Sequence, residues 1–297
     1  MFNNSILLHI LPGNGDGILG LGNIIITDQL YVFLLSFLAS IPAIYAGLFL
    51  LKLIKPLTES IALTRAIVAS ISIGILFASF YDLTKETAGI GTGVLKSLID
   101  VFSIIVFSAV LLSFIALHSY TNKTSGANNT TNNDVDNPTI ITSTSKTIPL
   151  VLIYAWAILG VGSHSIGEGI IMGYDFSTGA TSLSTAQISS FILHKIGEGF
   201  TIGVLVTYGL FKNRHLLPMG AFAGVPTIVG AVMGFALFSP TLATYFFASA
   251  AGATIFIITR FVYLTTTTSS RYSNGMLVGI LAGFLFMYFS GVLHQFE

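Results

Sequence analysis

Apolar residues make up 53% of this 297-residue chain and charged residues only 8%, and the twelve basic side chains balance the twelve acidic ones. A mean hydropathy of +0.86 excludes a water-soluble surface, the absence of a basic excess gives no reason to expect a nucleic-acid partner, and zero cysteines exclude disulfides and thiolate metal chemistry. What remains is an integral membrane protein whose solvent is the lipid bilayer.

Residues 1–30 open the chain with "LPGNGDGILGLGN", in which glycine, proline and aspartate break the apolar run and no basic start marks a signal peptide. They read as an exposed leader. A bilayer-crossing helix needs about 20 mostly apolar residues, and such runs follow at 31–54, 61–81, 94–118, 148–174, 183–211, 218–238, 242–264 and 273–295. Continuous runs of this length are too long for outer-membrane strands, which alternate apolar with polar. The expected fold class is therefore all-α, with eight transmembrane helices in one membrane domain. The first three spans occupy 31–118, the fourth and fifth 148–211, and the last three lie within 218–297.

Between the third and fourth spans, residues 119–147 ("SYTNKTSGANNTTNNDVDNPTIITSTSKT") offer almost nothing to bury. They read as a disordered loop. With the N-terminus outside, the inner ends of the spans receive Lys52, Lys55, Arg65, Lys123, Lys146, Lys212, Arg214, Arg260 and Arg271, and the outer ends only Lys85 and Lys96. The positive-inside bias thus predicts a multi-pass plasma-membrane protein with both termini outside and the 119–147 loop in the cytoplasm. "SIGILFASFYDL" in the second span and "SAAGATIFIITRF" in the seventh share a small-small-apolar rhythm. That pairing suggests a three-two-three arrangement in which the last three spans repeat the first three upside down, a transporter habit.

The fourth span carries "HSIGEG" from His164 and the fifth "HKIGEG" from His194. An ionised side chain at mid-bilayer costs about 2.5–3.5 kcal/mol on insertion scales, so two copies of a His and a Glu in such surroundings need a reason. A spacing of four residues puts His164 over Glu168, and His194 over Glu198, on one face of each helix. The short connection "DFSTGATSLST" makes the two helices antiparallel neighbours whose polar faces can meet. Two imidazoles and two carboxylates are a ligand set for Zn²⁺, and equally for Fe²⁺, Mn²⁺, Co²⁺ or Cd²⁺. The plainer alternative is a polar contact that only ties two helices together. His9, His118, His215 and His294 read as interfacial, and Asp175, just past the outer end of the fourth span, as a solvated residue that could also attract cations.

With these motifs the chain resembles the ZIP (Zrt/Irt-like) metal transporters, whose fourth helix carries a motif close to H-N-x-P-E/D-G and whose fifth carries a related one. The resemblance extends to eight spans, outward termini, a variable third loop and a three-two-three repeat. It implies that "IGILFASFYDLTKETA" matches a family segment ending in L-L-P-E-A, which makes Glu86, and more weakly Asp82, entrance candidates. Gly167 and Gly197 stand where the family has proline, so any helix bend there would have to come from glycine. Ser165, Lys195 and Thr227 stand where members hold ligands of a second metal, and "TRFVY" lacks an acid common near the inner end of the seventh helix. The resemblance therefore implies one metal rather than two, with the Lys195 ammonium taking the place of the second cation beside Glu198 or Glu168. Alternatively Lys195 points to another helix or snorkels outward.

The function expected is uptake of a divalent transition metal, zinc foremost, by an alternating-access mechanism. The metal would be cargo, with no resident cofactor and no enzymatic activity. The resemblance adds a moving unit of helices one, four, five and six, a scaffold of two, three, seven and eight, and a homodimer. The rivals are an intramembrane metal-dependent hydrolase and a ZIP-like protein with lost or altered metal transport.

Overall fold

The computed structural model describes residues 17–60, 62–89, 93–127, 147–177, 185–207, 213–237, 240–269 and 273–293. These form eight α-helices: α1 (Gly17–Ser60), α2 (Ala62–Gly89), α3 (Gly93–Ala127), α4 (Thr147–Ser177), α5 (Thr185–Thr207), α6 (Leu216–Leu237), α7 (Pro240–Ser269) and α8 (Ser273–Leu293). A 3-10 turn, Asn213–His215, leads into α6. Pro240 opens α7, a position where the missing amide hydrogen costs nothing.

Six of the helices hold stretches long and apolar enough to cross a bilayer: 29–54, 63–85, 97–116, 216–236, 241–263 and 274–292. Together with the composition they mark an all-α membrane protein. These are the spans found among the described residues; α4 and α5 carry the His, Glu and Lys residues of the two motifs.

Several helices outrun the apolar stretches that announced them. α1 begins at Gly17, so the second half of the expected leader is helical. α3 continues to Ala127, two turns into the segment expected to be loop. Hydropathy registers the length in hydrocarbon, whereas a helix propagates until its backbone bonding fails, and "SYTNKTSGA" can continue one in a polar setting. The remainder of that segment, 128–146, and residues 1–16 lie outside the described residues.

The helices pair in parallel, and glycine sets the closest pairs. α1 lies on α5, α4 on α6, α2 on α8 and α3 on α7. A Cβ on Gly47 of α1 would collide with the carbonyl of Ile196 on α5, and one on Gly199 with the carbonyl of Ile44 on α1. Gly169 and Gly230 do the same for α4 on α6, against the carbonyls of Thr227 and Ile166. In lipid, where apolar surface gains nothing by leaving the solvent, such backbone proximity is the main source of dispersion energy. α2 also packs on α7, α1 on α6, and α7 on α4, while α5 touches α2 and α8. The largest buried cluster, with Ile44, Ile73, Phe200 and Met287, fills the space between these elements.

α4 and α5 do not pack closely on each other, contrary to the neighbour relation their short connection suggests. Each is seated by the last glycine of its motif on a different partner, α4 on α6 and α5 on α1. What bridges them is side chains.

Candidate metal centre

Seated in this way, the two motif faces look at each other across a gap of side-chain width. His164 Nε2 stands 3.1 Å from Oε1 of Glu168 and 3.2 Å from Oε1 of Glu198. His194 Nε2 stands 3.6 and 3.5 Å from the same two oxygens, and the two Nε2 atoms are 3.1 Å apart. All four donor atoms fall within 4.8 Å of one another. A tetrahedral ion with bonds of 2.0–2.2 Å separates its ligands by about 3.3–3.6 Å. The five nitrogen-to-oxygen and nitrogen-to-nitrogen distances cluster around that edge length. Residues His164, Glu168, His194 and Glu198 thus form a group able to hold a metal ion, in which His164 and Glu198 are buried and Glu168 and His194 half-buried.

The second oxygen of each carboxylate turns the other way. Lys195, fully buried, places Nζ 2.5 Å from Oε2 of Glu168 and 2.9 Å from Oε2 of Glu198. It donates to Ser165 Oγ at 2.8 Å and to Glu198 Oε2, while its contact with Glu168 Oε2 is an ion pair outside hydrogen-bond geometry. The ring of Phe191 lies 5.5 Å from Nζ and closes the ammonium's remaining side. Lys195 neither snorkels nor joins another helix group. It ties the α4 carboxylate to the α5 carboxylate, each of which offers one oxygen to the ammonium and one to the imidazoles.

The other sequence candidates spread out from this centre. Thr227 is fully buried on α6, its hydroxyl without a hydrogen-bond partner among the described residues, and its carbonyl is what Gly169 packs against. Asp82 is half-buried on α2 and faces Gly291 of α8, outside the four-ligand group. Asp175 is half-buried near the end of α4 and already engaged by another group. The side chain of Glu86 lies outside the described residues.

Gly167 and Gly197 do not interrupt their helices. They provide room: a Cβ on Gly167 would press on the ring of Phe247, and one on Gly197 on Met287 Sδ.

Two contributors have no counterpart among the sequence candidates. Phe247 of α7 sets its ring 6.0 Å from that of His164, between centroids; no local pattern announces a contact from a distant helix. Thr201 lies three residues beyond Glu198, on the same face of α5, and helical spacing alone would have drawn attention to it. It lines a cavity of about 40 Å³ that adjoins His164 and Glu198 between α2, α4, α5 and α7. On α5 the cavity is lined by Glu198, Thr201 and Ile202, at the site and toward the C-terminal end of that helix. Toward the N-terminal end, Ser190 and Ser290 exchange hydrogen bonds, each hydroxyl donating to the other residue's carbonyl at 2.7 and 2.8 Å, and bind α5 to α8.

No family model matches this chain, and no curated protein matches it.

Proposed function

We propose that this chain is a ZIP-like carrier that moves a divalent transition-metal cation, zinc foremost, across the plasma membrane into the cytoplasm. The observation that carries the reading is the convergence of two imidazole nitrogens and two carboxylate oxygens, with five of their six separations between 3.1 and 3.6 Å and all within 4.8 Å. Fe²⁺, Mn²⁺, Co²⁺ and Cd²⁺ suit the same set, since nitrogen-oxygen ligation does not by itself rank them.

Helix pairing supports eight spans in a three-two-three inverted repeat. Exchanging helix one with six, two with seven, three with eight and four with five turns each main contact into another: α1 on α5 becomes α6 on α4, α2 on α8 becomes α7 on α3, and α5 on α2 becomes α4 on α7. In this reading α1, α4, α5 and α6 form one unit and α2, α3, α7 and α8 the other, meeting where α4 packs on α7 and α5 on α2 and α8, and an alternating-access carrier moves two such units against each other. A cavity on one side of the site and a serine clasp on the other supports a state open toward one face. With the termini outside, that face is cytoplasmic. The protein acts as a homodimer in this reading.

One cation per chain follows from Lys195. Both Oε2 atoms, which a second ion would need, are held by the ammonium. The same fact weighs against an intramembrane hydrolase, because neither glutamate keeps a free oxygen to serve as general base. The protein is then no enzyme.

Purified protein in liposomes, loaded with a metal-sensitive dye and offered Zn²⁺, Mn²⁺, Fe²⁺ or Cd²⁺, tests the reading. Wild-type protein should carry at least one of these ions, and Glu198→Ala and His164→Ala should reduce the flux at least tenfold. Equal flux through all three proteins would sink the carrier. Elemental analysis should find one ion per chain in the helical core, and two would overturn the role given to Lys195.

A further inference from the structure

Several buried hydroxyls in this chain bond locally. Ser40, Ser70, Ser79, Ser103 and Thr265 each donate to the carbonyl four residues back on their own helix. Such a bond satisfies a hydroxyl that has no water to turn to. Three buried hydroxyls have no hydrogen-bond partner among the described residues, Ser72, Thr201 and Thr227, and of these Thr201, only 6% exposed, is the one that lines the cavity beside the metal centre. A second polar atom beside the same cavity is in the same position. His164, 7% exposed, turns Nε2 toward the carboxylates and leaves Nδ1 buried without a partner.

Metal chemistry makes the second case acute. For Nε2 to give its lone pair to a cation, the ring's proton must sit on Nδ1. Ligating histidines nearly always donate that other N–H to a carboxylate, a carbonyl or a water, which fixes both tautomer and ring orientation. Among the described residues none of these is supplied to His164. Its ring and Thr201 both line the cavity of about 40 Å³. One water needs about 10–15 Å³ of such space and two or more polar partners, so there is room for about three. Thr254 and Ser79 add hydroxyls to walls that are otherwise apolar, such as Ile257 and Phe261.

We propose that this cavity is a water site held between His164 Nδ1 and Thr201 Oγ1, which makes Thr201 a positioning residue for the metal centre. The water accepts the Nδ1 proton and donates to the threonine hydroxyl, keeping Nε2 free for the ion. Water next to the ligands also gives a departing cation its first hydration on the side where the cavity lies. The inference rests on the metal-centre reading above, and it goes beyond it in naming what holds the imidazole in place.

The test compares full-length wild type with Thr201→Val, which keeps the shape and removes the hydroxyl, and with Thr201→Ser, which restores it. Zn²⁺ affinity is measured in detergent, and Co²⁺ absorption reports ligand geometry. Thr201→Val should weaken affinity about tenfold, within the range seen when such outer partners are lost, and broaden the Co²⁺ bands, while Thr201→Ser should stay near wild type. Equal affinity for Val and wild type overturns the water site while leaving the metal centre standing. A wild type that binds no Zn²⁺ sinks both. If the valine variant does not fold, a high-resolution experimental structure decides: solvent density within hydrogen-bond reach of Nδ1 and Oγ1 supports the site, and a dry cavity overturns it.

Discussion

In the α4 copy of the repeated motif the residue after the histidine is Ser165, in the α5 copy it is Lys195, and these two side chains bond each other. Around them the copies are alike. Each places a His over a Glu, opens with its first glycine a space for a large side chain of the other helix group, and seats its last glycine on a helix of its own. The shared positions build the frame and the differing position supplies the electrostatics. Two identical copies would give either two serines, leaving two buried carboxylates without a cation, or two lysines, leaving as many ammonium groups as carboxylates. Either choice would remove the net negative charge of one acceptor and one donor copy taken together, or double it. An internal repeat can therefore reach a single charged site only by breaking its own symmetry.

The most severe way to break this comparison is Lys195→Met, which fills similar volume without charge. Removing one partner of a buried ion cluster costs about 3–5 kcal/mol, because the groups left behind remain buried and unpaired. Unfolding in detergent should show a loss of that order. Added Zn²⁺ should recover more stability in this variant than in wild type, since the freed Oε2 atoms can share a second cation. A neutral Lys195→Met would mean that the ammonium does not join the copies.

The glycines sharpen the other half of the comparison, the frame. Gly199 and Gly169 face backbone carbonyls, which cannot move aside, whereas Gly197 faces the end of the flexible Met287 side chain and Gly167 the buried ring of Phe247. Overpacking costs about 1–3 kcal/mol where the neighbour is fixed. Alanine should therefore destabilise most at 199 and 169, less at 167, and least at 197, where a thioether can swing away. An effect at 197 as large as at 199 would show that the first glycine, too, is there to admit a backbone.

Much of the centre was legible because membrane burial makes charge expensive. A His and a Glu four apart in an apolar run imply a shared face, and an ammonium beside two carboxylates in such a run implies that it pairs with them. What was not legible is what lies between helices. The chain does not say that Gly169 seats α4 on α6, nor that α4 and α5 stand apart; their short connection pointed the other way. Phe247 approaches His164 from 83 residues along the chain, and no periodicity within α4 encodes that. Helix ends misled for a different reason: glycines in "GILGLGN" read as breakers by propensity, yet α1 includes them, since a long helix can absorb a cost of about 1 kcal/mol per glycine.

The mildest test concerns the hydroxyl alone. Ser165→Ala takes one of the three oxygens around the Lys195 ammonium and leaves both carboxylates in place. Within a membrane protein a single such hydrogen bond is worth about 1 kcal/mol, so the stability lost should be a fraction of that for Lys195→Met, and the metal count should stay at one. The comparison predicts more than this small number. If Ser165 matters only as the acceptor of the Lys195 proton, the serine substitution made in the Lys195→Met background should cost nothing further, and the coupling energy in a double-mutant cycle should equal the whole single effect. A residual cost in that background would give Ser165 a role of its own at the metal, and would move it from the frame's one difference to the ligand set.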